Sequence, residues 1–304
     1  MLSILIPVYN WDVRSLVAEL HKQATNLGIA FEILLLDDAS TDERIKEFNQ
    51  ELKLLDNVTL RALPSNAGRA VSRNLLARAA KYTHLLFMDC DSEPVDGKFL
   101  ERYIPFCQQN PVVVYGGIQY KKIKVKPAYK LRWTYGIVCE ERPAKERRKQ
   151  PNSQFHTFNF LISKDLFMSI QFNEMLKHYG HEDTLFGIEL TKKGITVQHI
   201  DNPLYHLDIN DNQQYIQKTR YGVENLRILL NQYEDKPLLT KEIRLLKYYH
   251  VLEKTKMVWV GSMFYHTFNQ LMLKNFNGSH PNLTLFNLYK LSYLSSLKFQ
   301  KEAL

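Results

Sequence analysis

The sequence predicts an α/β fold: a mostly parallel central sheet with flanking helices, followed by a helical C-terminal extension. Three observations carry that prediction. Over about the first hundred residues, short apolar runs alternate with amphipathic stretches of helical spacing. Such alternation brings successive strands parallel through helical crossovers and covers the sheet on both faces. Beyond Asn210 the composition shifts to longer, aromatic-rich stretches with helical periodicity.

Residues 2–8 are apolar, without a basic leader or a small-residue cleavage site, and are expected as a first strand and not a signal peptide. Residues 32–36, 58–62, 84–88 and 112–115 supply further strands, and 14–27, 43–55, 70–81 and 98–109 have the spacing of the intervening helices. After Gly116-Gly117 the pattern loosens, then recovers in a strand over 158–162 and a helix over 182–193. Stretches 215–233, 238–256, 257–273 and 283–299 read as the C-terminal helices, punctuated by Pro237 and the Asn277-Gly278-Ser279-His280-Pro281 break.

Composition bounds the class. A chain of 304 residues, 45% hydrophobic and 24% charged, can bury a full core. Cys90, Cys107 and Cys139 lack paired spacing, which argues against a disulfide framework or a zinc site and for a reducing compartment. No run reaches transmembrane length. The formal charge of +8 is concentrated: from Lys121 to Lys149 eleven Lys or Arg stand against Glu140, Glu141 and Glu146, an excess equal to that of the whole chain. This segment suits an anionic partner (a diphosphate, an acidic glycan or an anionic membrane surface), or else it is a solvated loop. The rest of the chain is nearly balanced and carries no nucleic-acid module, which weighs against nucleic acid.

In such sheets ligands sit beyond the carboxyl ends of the strands, so the informative residues follow each apolar run. After the first comes Pro7-Val8-Tyr9-Asn10, where Pro ends a strand without breaking a ladder and Tyr9 suits stacking on a nucleobase. After the second comes Asp37-Asp38-Ala39-Ser40-Thr41-Asp42. Its paired carboxylates suit a uracil-type imide and ribose hydroxyls, and Ser40 or Thr41 is expected to cap the next helix. Asn66-Ala67-Gly68-Arg69-Ala70-Val71-Ser72-Arg73-Asn74 opens the third helix. There Gly68 permits a tight turn, and Arg69 and Arg73, four apart, share a face from which to reach phosphates. After the fourth run, Asp89-Cys90-Asp91 places hard oxygen ligands on a rigid strand end, which suits Mg²⁺ or Mn²⁺ bridging two phosphates of an activated donor.

In this order and spacing, these motifs resemble glycosyltransferase family 2 on the A-type glycosyltransferase fold, over roughly the first third of the chain. The resemblance implies an inverting, metal-assisted transferase using a nucleotide-diphosphate sugar, with a UDP-sugar favoured by the paired Asp residues. By matching motif, Tyr9, Asp37 and Asp38 hold the base and ribose, Arg69 and Arg73 face the diphosphate, and Pro7 and Gly68 belong to the same donor site. Asp89 supports the ribose or the metal, and Asp91 binds the metal. Gly180-His181-Glu182-Asp183 resembles the family's Glu-Asp motif at the start of an acceptor-side helix. That match makes Asp183 the base that takes the acceptor hydroxyl's proton, and Glu182 the group that orients the acceptor. His206 matches a third metal ligand found in related enzymes and favours Mn²⁺; His199 falls in the same region, and for either one the alternative is a structural histidine beside a strand. Asn159, in Thr157-Phe158-Asn159-Phe160, either contacts a sugar hydroxyl or simply begins a strand. The domains implied are 1–209, catalytic, with a nucleotide-sugar half over 1–115 and an acceptor half over 116–209, and a helical region over 210–304.

Two departures matter. No Gln-x-x-Arg-Trp follows the Glu-Asp motif, since Leu131-Arg132-Trp133 precedes it. Transfer of a single sugar to a glycan or lipid-linked glycan is therefore expected, in cell-surface polysaccharide or lipopolysaccharide synthesis, in the cytoplasm or peripherally on the inner face of the membrane. The basic 121–149 insertion exceeds a simple connector and is expected either as a lid that closes on the diphosphate or as a contact for an anionic acceptor. Stretches 257–273 and 283–299 are too polar to span a bilayer, and packing back on the catalytic domain is preferred over interfacial docking on an anionic membrane. Other classes fit less well. A sugar-phosphate nucleotidyltransferase needs a Gly-rich basic loop where Tyr9-Asn10-Trp11-Asp12 stands, and a noncatalytic binding relative has no need of Asp91 and Asp183. The absence of Gly-x-Gly-x-x-Gly after the first strand disfavours NAD.

Overall fold

The computed structural model describes residues 1–175 and 180–299. In chain order the strands are β1 (Leu2–Val8), β2 (Phe31–Asp37), β3 (Val58–Ala62), β4 (His84–Met88), β5 (Ser92–Pro94), β6 (Val113–Tyr115), β7 (Ile118–Gln119), β8 (Asn159–Ser163), β9 (Gln198–His199) and β10 (Leu204–His206). The first seven α-helices are α1 (Arg14–Asn26), α2 (Glu43–Gln50), α3 (Arg69–Ala79), α4 (Lys130–Tyr135), α5 (Ala144–Arg147), α6 (Lys164–Met168) and α7 (Glu182–Lys192). They are followed by α8 (Asn212–Gln232), α9 (Lys236–Glu242), α10 (Arg244–Lys254), α11 (Val258–Phe276) and α12 (Leu283–Leu297). Two compact units result. One comprises Met1–Lys121, Glu140–Lys177 and Leu185–Asp208; the other comprises Lys122–Cys139, His178–Thr184 and Ile209–Leu304.

The first unit is built on a sheet of order β3-β2-β1-β4-β8-β6-β9. β1, β2, β3 and β4 run parallel, while β8 lies antiparallel between β4 and β6. β2 and β4 are buried along their whole length, which explains why 33–36 and 85–88 are unbroken apolar runs without alternation. Phe87 of β4 stacks on Phe160 of β8 at 4.8 Å, and Phe167, Phe172 and Phe186 close the cluster around them. Pro7 sits within β1, but the β1–β4 ladder has already ended at Leu5, so its missing N–H costs no bond on that side.

A second, three-stranded sheet of order β5-β10-β7 has no counterpart in the sequence reading, because its strands are two or three residues long. Residues 98–109, expected as a helix, form turns and a 3₁₀ helix over Ile104–Gln108. Asp96 takes the amide of Lys98, Gln23 takes that of Leu100, and Pro105 has no N–H to give. The helix after β2 is capped not by Ser40 or Thr41 but by Asp42, which accepts from the amides of Arg44 and Ile45.

The basic segment does not behave as one piece. Its 122–139 portion groups with the helical unit, and its remainder groups with the sheet unit. There Arg147 is buried and donates to the carbonyls of Arg142 (3.0 Å), Tyr115 (3.3 Å), Gly116 (2.9 Å) and Ile200 (2.8 Å) and to His199 Nδ1 (3.1 Å). All five guanidinium N–H directions are thereby occupied. Arg148 donates twice to the carbonyl of His199. These two cations of the expected lid pin strand ends together.

In the helical unit, Leu131, Tyr215, Ile216, Met272, Phe276, Phe286 and Tyr289 form the core. Asn212 receives the amide of Leu131 at 3.0 Å, which ties α4 to the start of α8. Gly261 of α11 faces Ser295 of α12 so closely that a Cβ would lie 2.6 Å from the Ser295 hydroxyl. The stretch expected as one helix over 238–256 breaks at buried Ile243, which is extended between α9 and α10. Among the described residues, no helix is long and apolar enough to cross a membrane.

Candidate active site

The loops after β1 and β2 are knitted together by Asn10. Its side-chain Oδ1 accepts from the backbone amides of Thr41 (2.7 Å) and Asp42 (3.1 Å), and its backbone N–H donates to Ser40 Oγ at 2.8 Å. Asn10 and Ala39 both adopt positive φ, strain that this bonding holds in place. Tyr9, next to this knot, is 47% exposed and presents a ring to solvent at the carboxyl edge of the sheet.

Asp37 and Asp38 are buried at the end of β2 and have internal duties. Asp37 Oδ1 accepts from the amide of Ser40 at 2.7 Å. The two oxygens of Asp38 take the amides of Ala67 (2.7 Å) and Gly68 (2.9 Å), clamping the start of α3. Gly68 has φ +85, a conformation that side-chain-bearing residues rarely adopt, and its carbonyl begins the helix by accepting from Ser72.

The two arginines of α3 part company. Arg69 is exposed in the first turn and near enough to Asp91 to favour that group's ionised form. Arg73, expected to face the diphosphate, is buried instead. Its Nη2 donates to Asp89 Oδ1 at 2.5 Å, and its guanidinium lies over Phe172. Arg73 falls on the buried stripe of α3 with Ala70, Asn74 and Ala77, whereas Arg69 stands in the exposed first turn.

Asp89 is therefore braced by Arg73, while Asp91 turns to His206, whose Nε2 is 3.7 Å from Asp91 Oδ2. The small sheet creates this meeting. His206 on β10 pairs with Ser92 on β5, and the amide of Leu207 donates to the Asp91 carbonyl at 2.8 Å. The imidazole is sandwiched between Phe158, at 5.1 Å and nearly parallel, and Tyr120, at 5.6 Å. Burial, with the charges of Asp89 and Asp208 adding to it, pushes the Asp91 carboxyl up to about 7. Burial likewise pushes the Cys90 thiol up, so it stays a thiol.

This donor set fits a divalent cation: a carboxylate and an imidazole face each other, with the carboxylates of Asp89 and Asp208 close enough to raise the Asp91 pKa. Among the described residues no group of three or more His, Cys, Asp or Glu converges on one point. The protein would thus supply two ligands, Asp91 and His206, and leave the other positions to water and substrate oxygens, as is usual for Mg²⁺ and acceptable to Mn²⁺. Asp208, Tyr120 and Phe158 were not foreseen as supports of this pair. A His-x-Asp spacing over His206 and Asp208 was the available signal for the first of them.

Glu182 and Asp183 occupy the first turn of α7 and belong to the helical unit, whose boundary passes through this helix after Thr184. Asp183 Oδ1 accepts from the amide of Thr184 at 2.7 Å, and Glu182 is buried. The turn before them is anchored on α8. Gly180 has φ +110, a Cβ there would stand 3.0 Å from Gly222 Cα, and the Gly180 carbonyl accepts from Asn225 at 3.0 Å. His181, at φ +71, is held neutral by burial, against the pull of Asp183 and Glu182.

Two acceptor-side features find their places. Asn159 is fully buried, taking the Tyr103 hydroxyl (2.6 Å) and the Gly116 amide (3.1 Å) and donating to the Gly117 carbonyl (2.6 Å), so its polar groups serve the sheet. The Gln-x-x-Arg spacing does occur after the Glu-Asp motif, at Gln217 and Arg220 on α8, with Tyr221 where Trp was sought. Arg220 Nε there donates to the Tyr289 hydroxyl at 2.7 Å.

The fold is the A-type glycosyltransferase fold, and the chain belongs to glycosyl transferase family 2, whose pattern matches residues 3–173. A curated relative, an uncharacterized glycosyltransferase of Haemophilus influenzae, is 31% identical over 120 residues, covering 38% of this chain and 46% of the relative. The chain thus matches less than half the length of this and the next curated relative. Among solved structures, the mannosyltransferase PcManGT from Pyrobaculum calidifontis, in complex with GDP-Man and Mn²⁺, superposes with a TM-score of 0.54 at 15% identity, over 98% of this chain and 86% of that one. S. aureus TarS 1-349 in complex with UDP superposes with a TM-score of 0.50 at 16% identity, over 98% and 92%. At these identities the two structures show a shared fold.

Proposed function

We propose that the protein is a metal-dependent, inverting glycosyltransferase that moves one sugar from a nucleotide-diphosphate donor, favoured as a UDP-sugar, to a glycan or lipid-linked glycan acceptor in cell-surface polysaccharide synthesis. The observation that carries this reading is the meeting of Asp91 with His206 at the end of β4, beside the Asp89–Arg73 pair. A divalent cation held by Asp91 and His206 would supply positive charge for the leaving diphosphate. Arg73 holds Asp89 in place through their ion pair, and Arg69 adds a second cation at the same rim. Tyr9 stacks on the base, while Asp37 and Asp38 hold the loops that receive the nucleoside.

Asp183 takes the acceptor hydroxyl's proton, an assignment that rests on its motif and on its place in the first turn of α7, where the helix dipole favours a carboxylate. The nucleotide complexes of the two fold neighbours support a nucleotide-sugar donor, and Mn²⁺ in one of them supports the metal. Three free cysteines suit the reducing cytoplasm. The test is thermal stabilisation by a panel of nucleotide sugars with and without Mn²⁺. Metal-dependent stabilisation by one nucleotide class that Asp91→Asn abolishes supports the reading; no stabilisation by any of them overturns it.

A further inference from the structure

Two independent features of the helical unit have no part in the site above. The first is a cleft of about 710 Å³ between α8, α9 and α10, lined by Arg227, Lys236, Lys241, Lys247 and His250, with Glu253 as its carboxylate. Glu253 already has partners: it lies 3.9 Å from His250 and 3.6 Å from Lys298. The cleft therefore presents concentrated positive charge. The second is an apolar face. On α11, Trp259, Met263 and Leu271 are 58%, 56% and 64% exposed on the side away from buried Val258, Met272 and Phe276, where exposed Thr267, Gln270 and Lys274 stand among them. α10 joins the two features. Lys247 and His250 line the cleft, Tyr248 and Val251 are exposed beside them, and Leu252 approaches Gly261 of α11.

We propose that this unit seats on an anionic bilayer, with the α10–α11 apolar face in the interfacial region and the basic cleft over the phosphate headgroups. Exposed Trp, Met and Leu flanked by lysines are what an interfacial helix needs, because apolar burial and headgroup attraction then act together. Lys254, Lys256 and Lys274 add to the cationic surround. A second copy is a poorer occupant, since a two-fold contact would bring these cations against their own kind. A membrane seat would place the enzyme beside an amphipathic acceptor.

The test is co-sedimentation of the full chain with phosphatidylcholine vesicles, with and without phosphatidylglycerol, at low and high salt. Binding only to the anionic vesicles, weakened by salt, is expected. The triple variant Trp259→Ser, Met263→Ser, Leu271→Ser should bind at least about tenfold more weakly, and each of Lys241→Gln and Lys247→Gln about fivefold more weakly. All these side chains are exposed, so circular dichroism should match the parent. Equal binding to neutral vesicles, no binding, or variants that bind like the parent would each overturn the proposal. So would inorganic pyrophosphate bound in the cleft without vesicle binding, or a dimer by light scattering that the triple variant dissolves.

Discussion

Protonation of His199 should limit the acid stability of the sheet unit. Its imidazole is 2% exposed, with Nε2 2.8 Å from the Pro151 carbonyl and Nδ1 3.1 Å from Arg147 Nη1. Only the neutral ring, protonated on Nε2, satisfies both contacts, because Arg147 can only donate. Burial, reinforced by the charges of Arg147 and Arg148, lowers its pKa from 6.5 to about 4. The sign follows directly. Below pH 6.5 the unfolded chain takes up a proton that the folded chain refuses until about pH 4, so stability present above pH 6.5 is lost as the pH falls through that window. The full loss is about 3 kcal/mol, most of it gone by about pH 4.5, a large fraction of a typical domain's stability. Urea midpoints should be compared at neutral pH and at about pH 4.5. His199→Gln can accept from Arg147 and donate to Pro151 without titrating, so it should be less stable than the parent at neutral pH yet lose less on acidification. If parent and variant lose the same stability between the two pH values, His199 is not the group responsible.

Other outcomes follow from the site and its supports. Asp91→Asn should remove Mn²⁺-dependent donor binding, read by calorimetry, while the variant keeps its circular dichroism spectrum. Asp183→Asn should lower transfer at least about a hundredfold with donor affinity nearly unchanged, as expected for loss of a general base; full activity would mean that the base lies elsewhere. Arg73→Met should destabilise by about 3 kcal/mol by stranding Asp89, and the double variant with Asp89→Asn should recover part of that loss in urea titrations. Gly116→Ala should destabilise by at least about 2 kcal/mol in the same titrations, because its Cβ would stand 2.2 Å from Asn159 Oδ1 and 2.4 Å from the Asn202 carbonyl.

The sequence by itself determined the parallel half of the sheet and the family. Strands with continuous apolar runs and helices with clear periodicity announce themselves locally; the motifs Tyr9-Asn10, Asp37-Asp38 and Asp89-Cys90-Asp91 each sit at the end of one such run, and Gly68-Arg69 opens a helix. Only the tertiary structure decided which of those residues meet. The partition of Asp89 to Arg73 and of Asp91 to His206 depends on the roll of α3 and on a three-stranded sheet too short to leave a periodic signal. The burial of Arg147 was equally hidden. A run of lysines and arginines looks alike in sequence whether it waves in solvent or plugs a set of carbonyls, because the acceptors come from residues 115, 116, 142 and 200, mostly remote along the chain. Periodicity reports the face a residue takes within its own element; long-range pairing chooses its partner.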